Sequence, residues 1–336
     1  MVLNHRNLFI AACGVSLSIA ACGSSGSDKP AVDGSTPTVD AAPQGAHHGY
    51  VINQISIPLD MAQATSYGLD LGAEKSNAPD GTVDNALQTV LNLVQVAAPD
   101  TSLQATISGA ITDGTIILLA DLIATAFDNA AAAGLSIKLG ATPTPMPCNA
   151  ADDCGHHLDG TGTFTIADSS PPNATVTGSI TSGTFNGGPG NLSLQLAIGD
   201  TPISLNLLGA RVKATEISES GLTAVVGGGV VPQALIDAVA PILPPLLAPI
   251  LADACPAAGG TPPTCGCAEP AATIMGVLNT GSPANCEITA DEIKSSAALK
   301  ILLRADVCSQ PTCTQPDLFS LGIKVTAVKA SFPGLQ

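Results

Sequence analysis

Asn191-Leu192-Ser193-Leu194-Gln195-Leu196-Ala197-Ile198 alternates polar and apolar side chains, and Ile203-Ser204-Leu205-Asn206-Leu207 resumes the pattern after Gly199-Asp200-Thr201-Pro202. A period of two places successive side chains on opposite faces of an extended chain. Two such runs about a Gly-Asp turn predict a β-hairpin. The run that follows, 210–217, sets Arg211, Lys213 and Thr215 on one face, which is expected to meet solvent. Outward from the hairpin, shorter strands are expected at 51–57, 103–110, 115–121, 135–139, 162–167, 174–180 and 182–185. Strands at about ten-residue spacing, separated by Gly, Asn, Asp and Pro, predict an antiparallel β-sandwich or open barrel. The fold class is mainly β with added α, the sheet being followed by a small helical, disulfide-bonded region.

Helical spacing occurs in three places. Ala86, Leu87, Val90, Leu91 and Val94 share one face of a helix over 85–97. Residues 231–253 are apolar nearly all round but contain Pro241, Pro244, Pro245 and Pro249, which predicts a kinked or broken buried helix. The stretch between Asp237 and Asp253 is too short to span a bilayer. Thr289 with Glu292 forms a capping box and Ile288 with Ile293 a hydrophobic staple, so a helix is expected from Ala290 to Leu303. An alternating run around 321–326 ends the chain as a strand. The expected organisation is a β-rich domain over 47–226 and a helical, disulfide-bonded region over 230–336 packed on it. The boundary falls at Gly227-Gly228-Gly229.

The N-terminus reads as an address. Arg6 precedes a short apolar run from Leu8 to Ala20, and small residues close it, which describes a secretory signal peptide over 1–21. The run ends in Ile19-Ala20-Ala21-Cys22. This resembles the lipobox of bacterial lipoprotein precursors, and the mature part looks like an exported lipoprotein. The resemblance implies lipidation of Cys22, anchoring to the membrane through that lipid, and, with Gly23 rather than Asp after the cysteine, placement at the outer membrane or cell surface. More than one acyl chain is needed for a stable anchor. Residues 22–46, rich in Gly, Ser, Thr, Pro and Asp, read as a flexible tether that holds the folded part roughly 25–30 Å from the bilayer.

Composition narrows the function. Eleven Lys plus Arg against 27 Asp plus Glu give a formal net charge of −16, and loss of Arg6 with the leader makes it more negative. Nucleic acid selects basic surfaces, so it is not an expected partner, and neither is an anionic lipid headgroup. Aromatic residues are 2% of the chain and Trp is absent, which handicaps any lectin-like cleft built on exposed rings. Beyond Cys13 and Cys22, eight cysteines remain. In an exported chain they read as four disulfides. Cys148–Cys154 and Cys308–Cys313 are the local pairs, and Cys255, Cys265, Cys267 and Cys286 then pair among themselves. Cys265-Gly266-Cys267 and Cys154-Gly155-His156-His157 contain zinc-ligand types, but their spacings fit no standard zinc pattern.

Catalytic signatures are missing: there is no Gly-x-Ser-x-Gly, no His-Glu-x-x-His and no P-loop. His47-His48 and His156-His157 read as surface histidines whose neighbouring rings diverge. Asn77-Ala78-Pro79-Asp80-Gly81 raises a calcium loop as a candidate. With Gly81 at position 6, an EF-hand would take its ligands from Ser76, Ala78, Asp80 and Leu87, of which only Asp80 is good. A looser acidic loop of Asp70, Asp80, Asp84 and Asn85 resembles a degenerate Asp-x-Asp-Gly-Asp-Gly calcium loop, and calcium is the sole cofactor it suggests. The competing reading makes Asp80-Gly81 a turn and Asp84 the cap of the helix that follows. The expected function is a lipid-anchored envelope protein with a structural or binding role. A calcium-dependent adhesion module and an exported hydrolase are the alternatives.

Overall fold

Sequential strands pair round the whole sheet. The computed structural model describes residues 42–72, 80–97, 102–150, 153–171, 175–198, 201–255, 265–269, 271–279, 285–310, 312–333 and 335. The signal peptide, Cys22, most of the tether and the Gly199-Asp200 turn therefore lie outside the described residues. In chain order the elements are β1 (Ala46–Ser56), α1 (Met61–Ser66), α2 (Leu87–Ala97), α3 (Leu103–Thr112), β2 (Leu118–Ala124) and β3 (Ala130–Thr144). Then come β4 (Cys148–Ala150), β5 (Asp153–Cys154), a 3-10 turn (His156–Leu158), β6 (Thr163–Ile166), β7 (Thr175–Thr181), β8 (Thr184–Ile198), β9 (Thr201–Ser218) and β10 (Gly221–Val230). The chain ends with α4 (Pro232–Val239), α5 (Leu243–Ala254), α6 (Ala271–Leu278), α7 (Ala290–Ser295), α8 (Ala297–Leu302) and β11 (Phe319–Lys329).

β1, β2, β3, β7, β8, β9, β10 and β11 pair antiparallel in that order, and β11 returns to pair with β1. The result is a closed eight-stranded up-and-down barrel, where the sequence suggested a sandwich or an open barrel. β6 adds to the far end of β3. The hairpin of the alternating stretch is the β8–β9 pair, with Leu192 opposite Leu207 and Leu194 opposite Leu205. The run at 210–217 is no separate strand. β9 continues through it past a bulge at Gly209, whose φ of 59° suits glycine.

Inward side chains fill the barrel. Ile52, Leu122, Ile137, Val176, Leu194, Val212, Val226 and Ile323 belong to one core whose buried members are each at most 8% exposed. A hollow calyx would leave its lining open to water-sized spheres, so these side chains form a packed interior. Arg211 and Lys213 alternate with Ala210, Val212 and Ala214, which are buried. On this strand the apolar side chains face in and the charged ones face out.

Antiparallel order divides the connections between two ends. The links β2–β3, β7–β8 and β9–β10 are short turns at one end, while the long connections after β1, β3 and β10 leave the barrel from the other. α3 contacts both β1 and β8. These strands are diametrically opposite in the ring, so α3 crosses the barrel mouth as a plug. Ile107, Ala110 and Ile111 of this helix join the barrel core. The Gln104 side chain donates to Ile55 O at 2.7 Å and accepts from Ile57 N at 3.0 Å, tying the plug to β1. Residues 103–110 were expected as a strand. Ser102 caps them as a helix, and Leu103, Ile107, Ala110 and Ile111 recur at helical spacing.

The segment 231–253 breaks between α4 and α5 with a bend of 59°. Pro241 lies in the break and Pro244-Pro245 in the first turn of α5, where missing N–H groups are tolerated. α4 buries Ile236, but no residue of α5 is fully buried. Among the described residues no single helix is long and apolar enough to cross a membrane. The capping box at Thr289 forms, with Glu292 Oε2 accepting from Thr289 N at 2.9 Å. The helix it starts is interrupted at Ser296, whose hydroxyl caps α8 and donates to Val277 O.

A second, small core lies around Ile274, Met275, Ile288 and Ile293. Disulfides Cys255–Cys267 and Cys265–Cys286 border it, and Cys148–Cys154 and Cys308–Cys313 close local loops. The helical region is not separate from the barrel. Gly227-Gly228-Gly229 lies inside β10, and β11 occupies the barrel between β10 and β1. Val39–Gln336 is one compact unit.

Glycine at 322 lets Tyr67 and Asn85 lie on the barrel wall, because a Cβ there would come 2.5 Å from Tyr67 O and 2.8 Å from Asn85 Nδ2. Gly322→Ala is expected to cost about 1–3 kcal/mol. Gly109 lies exposed inside α3 with open space at its Cβ position, so Gly109→Ala should stabilise by about 0.5–1 kcal/mol. Urea unfolding of both variants checks the pair.

Candidate functional site

The acidic residues expected around a calcium loop do come near one another, but as the fastening of a strap. Asp84 N donates to Leu69 O, and the Asp84 carboxylate accepts from Leu71 N at 2.8 Å. Asp70 accepts from Asp80 N and from Gly81 N at 3.2 and 2.6 Å. Asp80 accepts from Thr82 N, closing the turn read at Asp80-Gly81. Asn85 brackets β11, donating to Gly322 O at 3.1 Å and accepting from Gly322 N at 3.0 Å. Among the described residues no group of three or more His, Cys, Asp or Glu is placed to hold a metal ion.

The expected cap also differs. The Asp84 carboxylate is spent on Leu71, and the amide of Ala86 is satisfied instead by Ser320 Oγ at 2.8 Å. Ser320 in turn donates its hydroxyl and its amide to Asp306, at 2.5 and 2.7 Å. Asn85 and Ala86 are thus tied to β11 at Gly322 and Ser320, Asp306 steadies Ser320, and Asp84 fastens the strap to itself at Leu69 and Leu71. Burial pushes the Asp84 carboxyl up to about 6, Asp306, Asp70 and Asp80 add to the rise, and the Leu71 amide opposes it. Burial likewise raises Asp306, against its two bonds from Ser320.

Of the histidines expected on the surface, His47, His48 and His156 are half-buried and His157 is buried. His47 and His48 lie in β1 and point to opposite sides. His47 Nδ1 meets Asp121 Oδ2 at 2.9 Å and Oδ1 at 3.1 Å on the outer wall. His48 turns towards the short-turn end, its ring 4.5 Å from that of Phe127 and its Nδ1 3.5 Å from Glu219. Beneath it Tyr50 crosses the barrel, donating its hydroxyl to Ser218 O at 2.8 Å. Burial raises its phenol, and Glu219 adds to the rise. Asp121 is 4% exposed. Burial raises its carboxyl while the His47 bond opposes the rise. An Asp interrupting the apolar run Leu118–Ala124 was the sequence signal for this pair.

A buried Asp beside a His supplies two members of a hydrolytic triad. Among the described hydrogen bonds none brings a Ser, Thr or Cys to His47. The second pair splits as well. His156 Nε2 meets Asp153 at 2.9 Å and Asn149 at 3.0 Å, whereas His157 is completely buried.

No known family model matches this chain, and no curated protein or solved structure matches it either.

The Asp84 carboxyl binds its proton more tightly in the fold, about 6, than in the free chain, 3.8. Stability from this group is therefore full below 3.8 and is lost as pH rises through about 6. Asp84→Asn, which can still accept from Leu71 N, should raise the melting midpoint near pH 8 and give no gain near pH 4. Melting curves across that range decide it. Because the carboxylates are engaged by backbone amides, adding calcium in place of a chelator should move the midpoint by less than about 1 °C.

Proposed function

We propose that this chain is an exported protein held on the cell envelope by lipid at Cys22, with a structural or binding role and no catalysis. The observation that carries the reading is the cysteine state. Eight cysteines are joined in four disulfides, an arrangement that persists in an oxidising compartment. It agrees with the signal peptide and the Ile19-Ala20-Ala21-Cys22 lipobox. The packed barrel supports a binding role at the surface rather than inside the lumen. The acidic balance of the chain suits an outer-membrane or cell-surface position more than a nucleic-acid partner. Calcium-dependent adhesion is the weaker reading, since Asp70 and Asp84 already accept backbone amides.

An exported hydrolase is the second reading, favoured only by the His47–Asp121 pair. Turnover by the purified protein in a screen of ester, peptide and glycoside substrates, abolished by His47→Ala, would establish it.

The leading reading is tested by expressing the full chain and its Cys22→Ala variant in a bacterial host and partitioning each into detergent. The parent should enter the detergent phase with an N-terminal cysteine carrying acyl chains in its mass spectrum. The variant should remain unacylated and leave that phase. Identical partitioning of the two proteins overturns the proposal.

A further inference from the structure

The plug helix α3 ends against a loop that the barrel does not need. A Cβ on Gly114 would lie 2.4 Å from Pro147 Cγ and 3.9 Å from His157 Nε2, and one on Gly155 would lie 3.4 Å from Thr112 Cγ2. Pro147, Gly155 and His157, at the two ends of the disulfide loop, are therefore seated on the last turn of α3. The loop's own shape is held by Cys148–Cys154 and by two amides, Gly155 N and His156 N, both donating to Pro147 O. His157 is the part that reaches inward. It is 0% exposed, its ring stands edge-on to Phe164 with centroids 6.2 Å apart, and its ring nitrogens make no hydrogen bond of good geometry, the Ile111 carbonyl being the acceptor they approach. Buried polar groups normally find well-formed partners, so an imidazole this poorly satisfied at a docking point asks for a reason.

We propose that His157 is a proton-released latch: neutral, it allows the disulfide loop to dock on the end of α3, and protonated, it undocks the loop and loosens the helix that closes the barrel mouth. A neutral ring buries one N–H and one lone pair. An imidazolium would bury two donors and a charge among Phe164, Leu158 and Ile111, which is far costlier.

The charged groups around it do not reverse that balance. Asp113, at the C-terminus of α3, attracts the imidazolium, but it is exposed and its carboxylate already accepts from Thr115 N. His156, on the same 3-10 turn, repels it. β6 contributes Thr163, Phe164, Thr165 and Ile166, none of them titratable at these pH values. Asp159 is exposed and accepts from Thr161. Burial is accordingly the largest influence and lowers the imidazole below its ordinary 6.5, with the Ile111 carbonyl and Asp113 opposing.

The sign follows. A group with a depressed folded pKa contributes stability above 6.5 that is lost as pH falls through the folded value. The disulfide keeps the loop intact once released, and Gly160, with φ of 91° and open space at its Cβ position, provides a pivot on one side. The N-terminal half of α3 stays fixed by Gln104, so the release concerns its last turn.

Hydrogen exchange by mass spectrometry on the mature chain tests the latch, with rates referred to an unstructured chain at the same pH. Between about pH 7.5 and about pH 5, peptides covering 147–162 and the end of α3 should lose at least about tenfold in protection while β9 and β10 keep theirs. His157→Phe should remove the loss. His157→Gln, an uncharged polar replacement, should remove it too and serves if the Phe variant fails to fold. Asp113→Asn should shift the loss to lower pH. Unchanged protection in the parent, or the same loss in both His157 variants, overturns the proposal.

Discussion

β1 and β11, the first and last strands of the barrel, run antiparallel from Tyr50 opposite Lys329 to Ser56 opposite Lys324. This pairing converts a meander of hairpins into a ring and removes the open edges at which another chain could add. It is also the contact of greatest sequence separation, so the chain gives up most loop entropy to make it. What offsets that cost is the lumen: once the ring closes, every inward side chain is buried at once. Ile52 on β1, Val226 on β10 and Ile323 on β11 belong to the same core as Leu194 and Val176 on the far side. An eight-stranded ring is just wide enough for side chains to fill. The alternation that makes each hairpin therefore also makes the closed interior.

Parity then shapes the rest of the molecule. Eight strands running up and down leave both chain ends on the same side, and the even-numbered gaps between strands fall there as short turns. The other side receives the connections after β1, β3, β8 and β10, three of which are long. The short-turn end closes itself with Tyr50, His48 and Phe127. The long-connection end needs a separate closure, supplied by α3 across the mouth and by α2, α4 and α8 around Phe319 and Ile236. The outer wall is thinned by glycine where chain must lie against it. Gly227 faces Leu69 and Leu71, and Gly322 faces Tyr67 and Asn85.

The alternating stretch at 191–207 made the hairpin legible because local pairing and side-chain period agree there. The capping box at Thr289 and the grouping of the cysteines were legible for the same reason, since each depends on residues close in sequence. Residues 103–110 show the opposite case. Thr106 and Ile107 favour strand locally, yet Ser102 and the 103, 107, 110, 111 spacing belong to a helix that the open mouth selects. The role of β11 was hidden because its partner β1 lies at the other end of the sequence. The bonds of the acidic cluster were hidden for a related reason: Asp84 and Asp70 bind backbone amides, which leave no mark in the sequence at all.

Buried ionisable groups mark the seams where a connection is tied to the barrel. Asp121 with His47 holds the entry of β1 against β2, Asp84 fastens the strap to itself at Leu71, and Asp306 steadies Ser320, which holds Ala86 to β11. His157 lies buried where the disulfide loop meets the end of α3. Burial favours the neutral form in each case, but neutrality means opposite things for the two chemistries. Acid neutralises Asp84 and Asp306 and charges His157. Lowering the pH therefore tightens the strap on β11 while it loosens the plug, and raising it does the reverse. One closed barrel thus carries two fastenings on opposite pH slopes. The wall between them is held by apolar side chains that do not titrate.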